Sequence, residues 1–343
     1  MKKLLNTIYI THPDSYLYLD GGNIGVSIDR ETVTKIPLLN IESIVTFGRS
    51  GASPALIQDC LENSRELTFL SPQGRFMGRI TGTVNGNVVL RKTQYRWSES
   101  DSASLLLAKL FITGKIYNQR WILERAQRDH GLVIDTEAFV EQSLQMKETL
   151  RDFDYIEDLD SLRGIEGNTA SGYYSLFDQM ILQQKSDFQF NGRNRRPPLD
   201  RVNALLSFAY TLLANECAAA LETVGLDPYV GFIHQDRPGR RSLALDLMEE
   251  LRAAYADRFV LKLINKKLLH ANDFITMENG AVQLTDTARQ TFLQQWQLRK
   301  QETLVHPFLN EKLAWGLVPY AQAMLLARFL RGDLDTYPPF LWK

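Results

Sequence analysis

Two short segments of this chain hold residue types suited to phosphate chemistry. Gly164-Ile165-Glu166-Gly167-Asn168-Thr169-Ala170 presents one acid among small residues. His234-Gln235-Asp236-Arg237-Pro238-Gly239-Arg240-Arg241 sets an imidazole beside three arginines and leads into Ser242-Leu243-Ala244-Leu245-Asp246-Leu247-Met248-Glu249-Glu250. Glu166, His234 and Glu249 together could hold a hard divalent cation, and a cation held among arginines suits phosphoester chemistry. Mixed carboxylate and single-imidazole ligation favours Mg²⁺ or Mn²⁺. Zinc is disfavoured, because the chain has neither a Cys-x-x-Cys pair nor a His-Glu-x-x-His motif. Asp246, Glu249 and Glu250 are spaced three and four apart, so Asp246 can share a helix face with either glutamate. Asp246 and Glu250 therefore remain rival or supporting acids for Glu249, and a solvated acidic face is the plain alternative.

Candidate nucleic-acid contacts lie in the same half of the chain. Asn191-Gly192-Arg193-Asn194-Arg195-Arg196-Pro197-Pro198 offers Arg193, Arg195 and Arg196, whose guanidinium forks suit phosphate. Gly114-Lys115-Ile116-Tyr117-Asn118-Gln119-Arg120 adds Lys115 and Arg120 beside a stackable tyrosine, and Arg237, Arg240 and Arg241 complete the set. Solvated loops and helix faces are the competing explanation for each. The glycines around Glu166 weaken a helix by about 0.5 to 1 kcal/mol apiece relative to alanine, which fits close approach of another helix or of a ligand backbone. There is no Gly-x-Ser-x-Gly nucleophile motif, no phosphate-binding Gly-x-x-x-x-Gly-Lys loop and no dinucleotide fingerprint. His12, His130, His270 and His306 lack comparable partners and are expected to be structural or exposed.

These residues need a scaffold, and the patterning predicts an α+β chain: an N-terminal β-rich domain followed by a larger all-α C-terminal domain. At 343 residues two domains are expected, as 1–93, a linker at 94–103, and 104–343. Alternating runs predict strands up to Leu90, with turns at Gly21-Gly22-Asn23, Pro72-Gln73-Gly74 and Asn85-Gly86-Asn87 and one helix starting at Ser53-Pro54. Later periodicity predicts helices near 102–130, 136–152, 156–186, 198–224, 242–270, 285–303 and 309–331, a short hairpin at Phe274 to Leu284, and a proline-stiffened docked tail from Tyr337. A formal net charge of −1 requires any DNA-binding face to come from local clustering. Cys60 and Cys217 read as buried free thiols of a reducing compartment. No apolar run approaches the ~18 residues of a bilayer span, and the polar turn after Met1 to Ile10 argues against a secretory leader, so a cytoplasmic protein is expected.

Taken together, Tyr18-Leu19-Asp20-Gly21, the Gly114-to-Arg120 helix, Gly164-x-Glu166-Gly167-x-x-Ala170 with Tyr173-Tyr174, Asp200-x-x-Asn203-Ala204-Leu205-Leu206-Ser207 and the His234-to-Glu250 stretch continuing to Asp257-Arg258 resemble the CRISPR-associated integrase and endonuclease family. Members form the larger subunit of the machinery that inserts spacers into CRISPR arrays. The resemblance implies that the β domain dimerises and that the helical domain carries one metal site, with Glu166, His234 and Glu249 as ligands and Asp246 as a further acid one turn earlier. Glu249 stands where some relatives have Asp, and Ala253 where many have Pro. The implied reaction joins a DNA 3′-hydroxyl of the spacer precursor to the CRISPR repeat by transesterification, or cleaves DNA when water replaces the hydroxyl. The implied partners are DNA, a second copy of the chain and a small ferredoxin-like companion subunit. A branched-DNA repair nuclease and a non-catalytic DNA-binding scaffold are the competing readings.

Overall fold

The computed structural model describes residues 7–39, 41, 43–63, 65–71, 76–80, 82 and 88–343. The expected features at Met1 to Asn6, Pro72-Gln73-Gly74 and Asn85-Gly86-Asn87 lie outside the described residues. The architecture is α+β, with strands concentrated in the N-terminal part and helices in the rest. Strands β1 (Thr7–Ile10), β5 (Ser43–Phe47), β7 (Glu66–Leu70) and β8 (Phe76–Ile80) form one sheet in that order, the first two pairings parallel and the last antiparallel. A second sheet runs β4 (Glu31–Pro37), β3 (Asn23–Ile28), β2 (Tyr16–Asp20), β6 (Gly51–Ala52). Period-two alternation turns Ile8, Ile10, Leu17, Ile24, Val26, Ile44 and Leu67 into one core, closed by Leu56 and Cys60 of helix α1 (Pro54–Glu62). The two-residue link between β2 and β3 needs left-handed backbone at both positions, which Gly21 and Gly22 supply at φ 53° and 84°. Ser53 caps α1 through the Leu56 amide at 3.2 Å.

Residues 1–85 and 285–302 form one compact unit, and residues 86–284 with 303–343 form the other. The first unit thus includes a helix from late in the chain, α9 (Asp286–Gln301), whose Gln290 amide donates to Thr11 Oγ1 at 3.1 Å. Residues 94–103, expected as a linker, are almost entirely helical: α2 (Val88–Ser98) and α3 (Asp101–His130) are separated only by Glu99 and Ser100. Val88 to Leu90, expected as strand, open α2.

In the second unit α3 packs against α4 (Thr136–Arg151), α5 (Leu159–Ser175) and α7 (Ser242–Leu251). Asp158 and Asp200 cap α5 and α6 (Arg201–Thr223) through the amides of Ser161 and Asn203 at 2.8 and 2.7 Å. Helix α6 corrects the expectation about apolar runs, since by length and composition it could cross a bilayer. Its apolar faces are buried, among them Leu205, Leu206, Leu213 and Leu221, so in this fold it is the central core helix. The long helix expected over 242–270 is instead α7, a π-helical stretch Arg252–Asp257 and α8 (Arg258–Asn265). Helix α5 ends at Ser175, well before 186, and α10 (Val318–Leu330) begins after a ribbon of β11 (Thr303–Val305) and β12 (Lys312–Ala314) that the pattern did not predict. The expected hairpin is present as β9 (Phe274–Thr276) and β10 (Val282–Leu284). The tail docks with Tyr337 and Phe340 fully buried.

Candidate active site

Helix α7, the loop preceding it and helix α5 bring the predicted acids and histidine to one cleft. One carboxylate gathers three successive amides of that loop. Asp246 Oδ2 accepts the amides of Phe232 and Ile233 at 2.6 and 3.0 Å, while Oδ1 accepts the amide of His234 at 3.1 Å and lies 2.6 Å from its Nδ1. A side chain at Gly231 would place its Cβ 2.8 Å from Asp246 Oδ2 and from Ser242 Cβ, so glycine is what lets the loop lie this close to α7. An ionised carboxylate can only accept, so with a neutral ring Nδ1 carries the proton and Nε2 presents the lone pair. This arrangement orients an imidazole for ligation. Asp246 is fully buried and engaged on every side by the loop, so it positions His234.

Glu249 and Glu250 leave α7 in different directions and have different environments. Glu249 Oε2 lies 2.8 Å from Lys115 Nζ and Oε1 lies 3.2 Å from Arg252 Nη2. Burial opposes ionisation of Glu249, but Arg252, Lys115 and His234 outweigh it and hold the carboxyl well below the ordinary range. Its Oε2 is buried and, despite the nearby ammonium, makes no hydrogen bond of good geometry. Glu250 instead accepts from Gln322 Nε2 at 2.9 Å, from the Phe340 amide at 2.8 Å and from the Tyr337 hydroxyl. Burial pushes its carboxyl up to about 7 against those three donors. It anchors the tail and faces away from the cleft.

Glu166 on α5 shares Lys115 with Glu249, its Oε1 pairing with the same ammonium. Glu166, His234 and Glu249 line a cleft of about 390 Å³ together with Ile112, Arg163, Arg237 and Arg240. Among the described residues no three His, Cys, Asp or Glu side chains stand close enough to hold a metal as placed. The donors of a hard-cation site are thus gathered without converging, with Lys115 between two of them. Their types fit Mg²⁺ or Mn²⁺, and the half-satisfied, buried Glu249 Oε2 is an acceptor such an ion would engage.

The expected DNA-contacting cations divide into two groups. Arg237 and Arg240 line the cleft, and Arg195 and Arg196 are exposed. The other four are engaged within the chain. Lys115 is 3% exposed between its two acids. Arg120 pairs with Glu124 at 2.5 Å, and Arg193 reaches Asn203 at 2.6 Å and lies over the Tyr210 ring at 5.3 Å. Arg241 donates to Asn215 at 2.7 Å. Two arginines at the site were not singled out from the sequence. Arg163 lines the cleft and donates to the Ile233 carbonyl at 2.7 Å, tying α5 to the histidine loop, while Arg252 pairs with Glu249. Each sits three residues from a predicted ligand, Arg163 within α5 and Arg252 just past the end of α7, a spacing that could have disclosed both.

Known proteins are similar to this chain in sequence and in fold. The model of the family described as CRISPR associated protein Cas1 matches residues 8–298. CRISPR-associated endonuclease Cas1 1 of Chlorobaculum tepidum is 48% identical over 343 residues, covering 100% of both chains. Among solved structures, a casposase bound to integration product superposes with a TM-score of 0.84 at 22% identity, covering 99% of this chain and 95% of that one. A chain of a Cas6-RT-Cas1–Cas2 complex gives a TM-score of 0.80 at 22% identity, covering 100% of this chain and 36% of that one. At such identities the two structures speak for the fold.

Proposed function

Since the chain belongs to the CRISPR-associated Cas1 family, we propose that it is a metal-dependent DNA endonuclease and integrase of CRISPR adaptation, with Glu166, His234 and Glu249 holding one Mg²⁺ or Mn²⁺. The observation that carries this reading is the meeting of those three side chains, from α5, the loop and α7, in one cleft rimmed by Arg163, Arg237 and Arg240. A divalent cation bound there would supply acidification of the attacking hydroxyl and stabilisation of charge on the phosphate. The protein's own part is positional and electrostatic. Asp246 sets the His234 ring, Arg252 keeps Glu249 ionised, and the cleft arginines neutralise the phosphodiester and orient it. A DNA 3′-hydroxyl in place gives joining, and water gives cleavage, with no covalent protein intermediate.

The same reading includes a dimer built through the β-rich unit, a small companion subunit and a cytoplasmic setting. The Cas1–Cas2 assembly of the structural relative supports the companion, and the casposase held with its integration product supports joining. The test supplies the purified chain with Mn²⁺, a companion subunit, a labelled duplex with free 3′-hydroxyl ends and a CRISPR repeat target. Joined product is expected, and it should vanish in Glu166→Ala, His234→Ala and Glu249→Ala. Cleavage without any joining would favour a branched-DNA repair nuclease, and unchanged turnover in all three variants would remove the site.

A further inference from the structure

Lys115 sits where the donor geometry calls for a cation. Its ammonium pairs with Glu166 and lies 2.8 Å from Glu249 Oε2, and the residue is 3% exposed. Two features put it there. Helix α3 packs against both α5 and α7, and at Gly114 an added Cβ would stand 2.7 Å from Glu250 Cβ, so glycine permits the close approach that brings Lys115 between the two acids. Two carboxylates held close together repel unless a positive charge lies between them, and a buried ammonium needs such partners.

We propose that Lys115 is a built-in placeholder: in the metal-free protein its ammonium occupies the position between Glu166 and Glu249, and a divalent cation loads by displacing it. Lys115 is then a positioning residue that holds the two ligands in place, prevents collapse of the empty site and sets metal affinity by competition. This inference rests on the proposed metal-binding reading of Glu166 and Glu249. Arg252 remains on Glu249 Oε1 at 3.2 Å and does not compete in the same way, because it approaches the other carboxylate oxygen.

The competition reverses the sign expected of an ordinary structural ion pair. Losing a supporting partner would weaken metal binding, whereas losing a competitor leaves two uncompensated carboxylates and strengthens it. Mn²⁺ binding is measured by isothermal titration calorimetry on the full chain as wild type, Lys115→Met and Lys115→Gln, with circular dichroism as the check on folding. Both variants are expected to bind Mn²⁺ at least tenfold more tightly than wild type and to melt earlier without metal. Equal or weaker Mn²⁺ affinity in a folded variant overturns the proposal. Should neither variant fold, lysine acetylation of the wild type read by mass spectrometry decides: faster modification of Lys115 with Mn²⁺ supports displacement, and equal protection overturns it. Failure of the underlying reading shows separately, as wild-type protein that binds no Mn²⁺ or as binding that survives Glu166→Ala combined with Glu249→Ala.

Discussion

Alanine at Gly164 and Gly167 should make the protein more stable and worse at handling DNA. Both glycines lie inside α5, on either side of Glu166, and both are exposed. An added Cβ at either position meets nothing within 4 Å, and neither has a positive φ. Packing within the chain therefore supplies no reason for glycine, unlike Gly172 in the same helix, where a Cβ would strike the Gln142 side chain. Each Gly→Ala change in such a helix interior recovers about 0.5 to 1 kcal/mol of backbone entropy and helix propensity. The double variant should gain roughly 1 to 2 kcal/mol, or about 3 to 6 °C in melting temperature for a domain of this size. Differential scanning fluorimetry without DNA reads that gain. Fluorescence anisotropy with a branched duplex at fixed salt reads the other side, where added methyl groups on a bare strip of backbone should weaken binding severalfold. No stabilisation would refute the helix argument. Stabilisation with undiminished DNA binding and joining would refute close approach of a ligand as the reason for the glycines.

Four further outcomes follow from the site and its surroundings. Glu249→Gln should abolish Mn²⁺ binding by calorimetry, whereas Glu250→Gln should leave Mn²⁺ affinity within about twofold while loosening the tail, seen as faster amide exchange at Phe340. Asp246→Asn should lower metal affinity by about 10- to 100-fold, because an amide can donate to Nδ1 and turn the His234 proton toward the cleft. Chelation with EDTA should stop cleavage and joining, and added Mn²⁺ should restore both. Asp257 accepts from the Tyr173 hydroxyl at 3.1 Å and from Tyr210, and burial raises its carboxyl from 3.8 to about 6. The folded chain thus holds a proton there that the unfolded chain releases, so this group's contribution falls as pH rises from about 4 to 6. At about 1.4 kcal/mol per pH unit the loss is about 3 kcal/mol, and urea unfolding of wild type against Asp257→Asn should diverge by that amount across the window. A constant difference would show Asp257 ionised throughout.

Which parts of this molecule could be read from its sequence depended on whether the signal was local. Strand alternation around Leu17 and Ile24, the Gly21-Gly22 turn and the Ser53-Pro54 cap are decided within a few residues, and all of them form. Glu166, His234 and Glu249 drew attention for the same reason, as acids and an imidazole in segments that had little else to do, and the fold brings them to one cleft. What failed was periodicity carried too far. A three-and-four apolar repeat cannot distinguish one helix over 242–270 from α7, a π-helical stretch and α8, because α7 and the π-helical stretch are buried almost all round and the break leaves no mark on the pattern. Helix α9 joins the strand-rich unit although its sequence resembles its helical neighbours, since tertiary partners leave no mark on composition.

The ambiguity among Asp246, Glu249 and Glu250 shows where sequence necessarily stops. Their spacing allowed each to be the ligand, and only their partners separate them: loop amides take Asp246, the tail takes Glu250, and Lys115 with Arg252 take Glu249. Those partners lie between 3 and about 130 residues away, so no window of sequence contains them all. Lys115 illustrates the point best. As a cation in a polar helix it read as a phosphate contact, yet burial between two acids gives it a different task. On the proposed metal-binding reading, an ammonium in that place would have to move before a divalent ion binds, so a residue expected to contact DNA would instead control loading of the site.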